Sequence, residues 1–235
     1  MMRLRSLLLA TACVVYVYAF NLDLSIVSLN RKRFTAQPIF GCGKHAFDCI
    51  CSISKQKIDE KAQVREYFNS EGFDRWSKIY SDFDGLNFVQ KFIRKGHQQT
   101  VDKVLKWVEE DGSAHRGEIF CDAGCGVGSI TIPLAAMGAI VHASDFSSAM
   151  TAEAQRRARG LALQGNYTFQ TADLESLAGQ YDTVICIDVL MHYSLETMDS
   201  MVGHLCGLAA RRVLLSFAPR TPLFAALKWA GSWAP

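Results

Sequence analysis

Seven residues, Asp122-Ala123-Gly124-Cys125-Gly126-Val127-Gly128, carry the densest chemical signal in the chain. Glycines on alternate positions let a backbone turn sharply and approach a ligand without side-chain obstruction. The carboxylate of Asp122, two residues ahead of Gly124, suits a ligand ammonium. Spacing separates two kinds of glycine loop. A nicotinamide dinucleotide fingerprint needs its third glycine five positions after the first; that position here is Ser129, and the glycine stands at 128. S-adenosylmethionine carries an ammonium and NAD does not, so the loop points to the former as cofactor.

Three more acids recur at matching places. Asp145 closes the apolar run Ala139 to Ser144, where a carboxylate accepts hydrogen bonds from ribose hydroxyls. Asp173, in Thr171-Ala172-Asp173-Leu174, is placed for an adenine amino group, with Leu174 packing on the ring. Asp188 follows the next apolar run. Singly, each reads as a helix cap, a surface loop residue or a turn former. Together they follow the ends of successive strands, which caps alone do not explain. Phe146 and Met150 are candidates for the adenine pocket, though an apolar residue on a helix is more often core.

These residues need a scaffold that brings loops to one edge. Short apolar runs at Glu118 to Cys121, Ala139 to Ala143, Tyr167 to Gln170, Thr183 to Ile187 and Arg212 to Phe217 read as strands. Between them, Ser129 to Met137, Ser147 to Leu163 and Glu196 to Leu208 read as helices. Alternation of this kind implies a parallel sheet with right-handed crossovers and both faces covered. Its loops at the carboxyl edge bind ligands. Upstream, Ile58 to Ser70 reads as a helix ended by Gly72 and followed by a short aromatic turn. A second helix lies between Gly96 and Glu110, where Val101, Val104, Leu105 and Val108 repeat at helical spacing. Residues 58–117 thus form a helical cap, and 118–235 form the cofactor-binding domain.

The chain has 235 residues, 49% of them hydrophobic, which suffices for one full core plus appendages. A net charge of +2, from 25 basic and 23 acidic residues spread along the chain, gives no footprint for nucleic acid. Cys49 and Cys51 are separated by one residue and have no matching second pair, so no metal site is expected. Arg3 and Arg5 precede a mostly apolar stretch from Leu7 to Phe20 with Ala19 near its end, the order of a secretory signal (residues 1–20). That stretch is shorter than a comfortable membrane span. Residues 21–57 carry six basic residues from Arg31 to Lys57 against Asp23 and Asp48, the composition of a transit segment. Signal and transit segment in series are similar to the bipartite leaders of plastid (chloroplast) proteins.

The stretch Tyr67-Phe68-Asn69-Ser70-Glu71-Gly72-Phe73-Asp74-Arg75-Trp76-Ser77-Lys78-Ile79-Tyr80, then Asn87-Phe88-Val89-Gln90 and Gly96-His97-Gln98-Gln99-Thr100-Val101, resembles the magnesium protoporphyrin IX O-methyltransferases of chlorophyll synthesis. So do Cys121 to Pro133, Tyr181 to Tyr193 and Leu214 to Pro219. The resemblance runs from about Val64 to about Leu227 and includes the cap as well as the loop. It implies an α/β, Rossmann-like class I methyltransferase that moves a methyl group from S-adenosylmethionine to a propionate carboxylate of magnesium protoporphyrin IX. The family's active-site tyrosine and histidine match Tyr80 and His192. Other enzymes of the pathway and a peripheral membrane surface are further partners that the resemblance implies.

A propionate resembles a glutamate side chain, with a pKa of about 4.3, so it is ionised already and needs no strong base. His192, just past the fourth strand, is placed to orient that carboxylate, and Tyr80 to close over the cofactor. Phe68, Phe73, Trp76, Phe83 and Phe88 suit a flat macrocycle, though they serve equally as core. The family continues past the fifth strand through another helix and a closing antiparallel strand pair. Here the sequence stops at Pro235, so an unpaired sheet edge is expected. Two other readings share these residues: a porphyrin-binding scaffold without turnover, and a methyltransferase for another small carboxylate or phenol.

Overall fold

The computed structural model describes residues 12–19, 22–30, 60–81, 83–114, 116–163 and 165–217. The remaining leader residues and the segment after residue 217 lie outside them. In chain order the elements are β1 (Ala12–Ala19), β2 (Leu22–Asn30), α1 (60–69), α2 (Glu71–Ile79), α3 (Phe88–Glu110), β3 (Ile119–Ala123), α4 (Thr131–Ala136), β4 (Ile140–Asp145), α5 (Ser148–Ala158), β5 (Tyr167–Thr171), β6 (Tyr181–Cys186), α6 (Leu195–Leu208) and β7 (Ala209–Phe217).

One sheet carries them in the order β2-β1-β7-β6-β3-β4-β5. β3 to β7 are mutually parallel, as the alternation of strands and helices requires. The chain winds outward from β3 through β4 to β5 and then returns to the other side of β3 to begin β6. The order therefore reverses between β3 and β6, and the crevice beyond their carboxyl ends is where such sheets take ligands. The far edge differs from expectation. β1 pairs in parallel with β7, from Val14 opposite Arg212 to Ala19 opposite Phe217, and β2 pairs antiparallel with β1. The edge of β7 is thus covered within the chain, by residues that the sequence assigns to the leader.

Alternation along the central strands sorts their side chains onto two faces. Cys121, Ala123, Val184, Cys186, Val213 and Leu215 pack beneath Met201, Leu205 and Leu208 of α6. Phe120, Ile185 and Leu214 pack on the opposite face against Leu134 of α4 and Val101, Val104 and Val108 of α3. The latter half of α3 is therefore part of the main core, while its first half carries the cap. Among the described residues no helix is long and apolar enough to cross a membrane.

Two helices upstream differ from the sequence reading. α3 begins at Phe88, eight residues before Gly96, because Asn87 and Gln90 form a capping box: Gln90 N–H donates to Asn87 Oδ1 at 2.8 Å and Asn87 N–H to Gln90 Oε1 at 3.1 Å. Gly72 does not end a helix, nor do the aromatics after it form a turn. It sits inside α2, where a Cβ would fall 2.6 Å from the Tyr67 carbonyl oxygen and 2.7 Å from the Tyr67 ring. Its role is to let α1 and α2 approach more closely than any side chain permits.

Candidate functional site

The chain leaves β3 through the glycine loop, and its geometry follows from steric demands. Gly124 has φ 85°, and a Cβ there would meet Val189 Cγ2 at 2.2 Å. The loop's amides are spent internally. Gly124 N–H and Cys125 N–H both donate to Ser144 O, at 2.8 and 2.9 Å; Gly126 N–H donates to Asp145 Oδ2 at 2.9 Å, and Gly128 N–H to Cys125 O at 2.9 Å. Backbone donors at this helix entrance, expected from the sequence to face a ligand, hold the loop to β4 instead. The loop is thus shaped for close approach to a ligand.

A cavity of about 260 Å³ opens above β3 and β6, lined by carboxylates on the sheet side and aromatics on the cap side. It gathers Tyr80, His192, Asp122, Gly124, Gly126, Asp145, Phe146, Met150, Asp173, Leu174 and Asp188. Gly128, also expected at the cofactor, is not among the lining residues. Its φ is 86° and a Cβ would lie 3.1 Å from Ile132 and 3.4 Å from Ala154, so it serves the packing of the loop on α4 and α5.

Each aspartate is held differently. Asp122, 2% exposed, accepts a hydrogen bond from Thr131 Oγ1 at 2.6 Å. Burial, reinforced by the charge of Asp145, pushes its carboxyl up to about 6 even though Thr131 lowers it. Asp145 accepts one backbone amide on each oxygen, Ser147 N–H at 2.9 Å and Gly126 N–H at 2.9 Å. Burial still leaves it above the usual carboxylate range. Because each carboxylate oxygen has two lone pairs, Asp145 remains able to accept from hydroxyls. Asp173 lies 3.8 Å from Lys61 Nζ and 3.3 Å from Arg65, both on α1, so cap cations occupy the acid that the sequence reading assigned to adenine. Leu174 and Met150 are buried beside it, and the Arg65 guanidinium sits 5.9 Å above the Phe146 ring.

Asp188 is the one non-glycine residue with positive φ (58°) among the described residues. Its Oδ2 bonds His97 Nδ1 at 2.7 Å, its Oδ1 accepts from Ser216 Oγ at 2.8 Å, and its own N–H donates to the same Oγ at 2.7 Å. Burial alone raises this carboxyl, but the His97 and Ser216 hydrogen bonds and the charges of His97 and His192 bring it below its ordinary value. His97 was present in the sequence reading only as part of a resembling stretch. Its partner lies 91 positions away, so no local spacing marks it.

The cap holds Tyr80 by its backbone. The carbonyl end of α2 is clamped by two arginines: Arg94 donates to Ile79 O at 2.7 Å and Phe83 O at 2.8 Å, and Arg157 donates to Ser77 O at 3.0 Å and to Tyr80 O. The Tyr80 ring then stacks on His97, centroids 4.1 Å apart at 29°, and leans on Trp76 at 5.5 Å. Burial, with the charge of Asp188, pushes its phenol well above the ordinary value. His192, in the short turn Leu190–His192, meets Phe68 edge-on at 5.0 Å and Trp76 at 6.4 Å. Among the described side chains three buried polar atoms lack a hydrogen-bond partner: Trp76 Nε1, His97 Nε2 and Glu118 Oε2. The first two belong to residues lining this cavity.

A family model described as magnesium-protoporphyrin IX methyltransferase C-terminus matches residues 186–235, and one described as methyltransferase domain matches residues 120–210. The magnesium-protoporphyrin O-methyltransferase of Synechocystis sp. is 54% identical over 184 residues, covering 78% of this chain and 79% of that protein. The chloroplastic magnesium protoporphyrin IX methyltransferase of Arabidopsis thaliana is 51% identical over 177 residues, 75% of this chain; the chain spans 56% of that relative. The crystal structure of magnesium protoporphyrin IX methyltransferase from Synechocystis PCC 6803 with bound SAH superposes with a TM-score of 0.69 and 55% identity, covering 74% of this chain and 80% of that one.

Asp122 generates a prediction independent of any ligand. Its folded-state value, about 6, exceeds the ordinary 3.8, so folding favours the protonated form and the charge destabilises the unliganded protein above pH 6. Asp122→Asn is expected to stabilise the free protein by roughly 1–3 kcal/mol at pH 8. That gain should shrink as pH falls from 6 towards 4, where the wild-type carboxyl becomes protonated. Thermal unfolding of both proteins across this range checks it; a variant that is less stable at pH 8 contradicts it.

Proposed function

The chain belongs to the magnesium-protoporphyrin O-methyltransferase family, and on that basis we infer that its cavity moves a methyl group from S-adenosylmethionine to a propionate carboxylate of magnesium protoporphyrin IX, giving the monomethyl ester. The observation that carries this reading is the composite cavity: one wall of aspartates, the other of cap aromatics, in a chain 54% identical to a relative of that activity.

The sheet-side residues fit S-adenosylmethionine. Asp122, hydrogen-bonded by the hydroxyl and the backbone of Thr131 yet still raised by burial, suits an ammonium. Asp145, fixed by two amides, presents its remaining lone pairs to ribose hydroxyls, and Phe146, Met150 and Leu174 form an apolar slot for a flat base. Asp173 and Asp188 complete the acidic edge, with Gly124 and Gly126 allowing close approach. When bound, S-adenosylmethionine supplies a methyl group activated by its sulfonium charge.

Because the propionate is ionised at neutral pH, the protein has to orient it and exclude water rather than remove a proton. Tyr80 is suited to that work. Its phenol is held protonated by burial, so its hydroxyl donates hydrogen bonds and takes no part as a base. His192, set edge-on between Phe68 and Trp76, orients the carboxylate at the mouth where the aromatic wall begins. The cap aromatics receive the macrocycle and keep the reacting end dry.

Labelled S-adenosylmethionine and magnesium protoporphyrin IX test the activity: label in a base-labile ester supports it, and pigment binding without transfer supports a scaffold instead. For the roles, Tyr80→Phe and His192→Ala are expected to keep their affinity for S-adenosylhomocysteine while turnover falls on the order of 10²-fold. Turnover unchanged in both removes the assignment.

The same reading extends to location and organisation. The chloroplastic plant relative and the composition of residues 1–57 support a plastid protein with a bipartite leader, a cap over residues 58–117 and a methyltransferase domain from 118 onward. N-terminal sequencing of the mature protein is expected to begin near Ile58. A start that retains residues 12–30 instead makes β1 and β2 permanent parts of the sheet.

A further inference from the structure

The least satisfied group in the cavity is His97. It lies on α3 between buried Gly96 and the buried run Thr100, Val101 and Val104, which fixes that helix against the core. Its side chain is 11% exposed, its Nδ1 is taken by Asp188, and its Nε2 is occluded without any partner. Buried polar atoms are overwhelmingly paired, so an exception inside a ligand cavity asks for a ligand atom. The support behind it is continuous: Ser216 of β7 holds Asp188, Asp188 holds Nδ1, and the Tyr80 ring covers one face of the imidazole. Such a chain fixes the orientation of the ring and the direction of Nε2.

Charge identifies the partner. Among the described residues the lining includes Asp122, Asp145, Asp173 and Asp188 but no lysine or arginine; of these described lining residues, His97 and His192 are the ones that can carry positive charge. A ligand carboxylate entering such a cavity needs a cationic donor. We propose that His97, oriented by Asp188, is a carboxylate-binding residue whose Nε2–H receives a ligand carboxylate inside the cavity. This rests on the reading of the cavity given above. Asp188 on one nitrogen and a ligand carboxylate on the other are both acceptors, and a ring that serves both donates from each nitrogen. Two carboxylates reach the cavity on that reading: the amino-acid carboxylate of the cofactor and a propionate of the pigment. The first is the expected source, because His97 is close enough to Asp122 for their charges to interact, and an α-amino acid presents ammonium and carboxylate side by side.

Titrations with ligand pairs that differ in carboxylates separate these sources. S-adenosylhomocysteine is compared with 5′-methylthioadenosine, which lacks the amino-acid part, and magnesium protoporphyrin IX with its dimethyl ester. Wild type, His97→Gln and His97→Lys are titrated by calorimetry for the nucleosides and by the pigment's Soret shift. For His97→Gln, S-adenosylhomocysteine affinity is expected to fall tenfold or more while 5′-methylthioadenosine affinity stays within twofold. His97→Lys, which restores a cationic donor, should recover part of the loss. A selective loss for magnesium protoporphyrin IX over its dimethyl ester, with the nucleosides unchanged, supports the carboxylate site with the pigment as source. Equal losses for both members of a pair make His97 merely structural and overturn the proposal, as does no loss for any ligand. Failure of the wild type to bind S-adenosylhomocysteine or 5′-methylthioadenosine is a different result and counts against the cavity reading itself.

Discussion

Four aspartates at one edge of a parallel sheet, in a cavity whose described lining includes no lysine or arginine, set the terms for the rest of the molecule. A carboxylate drawn out of water needs compensation, and each of the four finds a different kind. Asp145 takes two backbone amides, Asp188 a histidine and a serine, and Asp173, nearest the cap, takes Lys61 and Arg65. Asp122, beside the glycine loop, has the hydroxyl and the backbone amide of Thr131, yet burial still holds its carboxyl up at about 6, which suits it to a cation. The site is thus built short of positive charge, and a cationic ligand supplies what the protein withholds.

The same constraint explains why the cap is tied down where it is. Lys61 and Arg65 bring α1 over Asp173, and Lys61 also bonds Glu175. At the start of α1, the Glu60 carboxylate accepts from Ser194 N–H at 2.6 Å and Thr197 Oγ1 at 2.9 Å, capping α6. At its end, Ser147 Oγ lies 3.0 Å from Phe68 O and 2.8 Å from Asn69 Oδ1. These contacts are polar and partly exposed, so each contributes modestly. Apolar exposure at Phe88 (83%) and Phe92 (53%) lies on the α3 side of the cap, beside a cavity wall to which Phe92 itself belongs. A cap held by such bonds is able to release while the sheet, with its fully buried core, stays intact.

Much of this was legible in the sequence because it repeats at short range. The strands β3 to β7 follow from apolar runs, and Asp122, Asp145, Asp173 and Asp188 from their place at strand ends; all four line one cavity. What local pattern cannot show is how a donor is spent. The loop glycines advertise free amides, yet Ser144 O and Asp145 consume them. Gly72 looks like a helix stop because a missing side chain in sequence does not reveal the Tyr67 ring that requires it. The start of α3 was within reach, since Asn87 and Gln90 stand at capping-box spacing, but the apolar periodicity begins only later. His97 was out of reach, because its meaning comes from Asp188 on another element and from Tyr80 stacked across it. The pairing of β1 with β7 was hidden differently: the apolar run that reads as a targeting signal also has the composition of a strand.

The separation of the two walls has a chemical consequence. Methyl transfer from a sulfonium to a carboxylate removes one positive and one negative charge, so a medium of low polarity favours it relative to water. Aspartates placed around the reacting end would oppose the approach of a second carboxylate and would stabilise the sulfonium before it reacts. The structure keeps them on the sheet side, where on the proposed reading they serve the ammonium and ribose ends. Phe68, Trp76 and a protonated Tyr80 form the opposite wall. His192 and His97, the two lining residues able to carry positive charge, both meet that aromatic wall: Phe68 and Trp76 flank His192, and Tyr80 covers His97. On the proposed reading, acid holds the donor, aromatic surface excludes water, and the histidines admit carboxylates to a cavity whose own charge would otherwise turn them away.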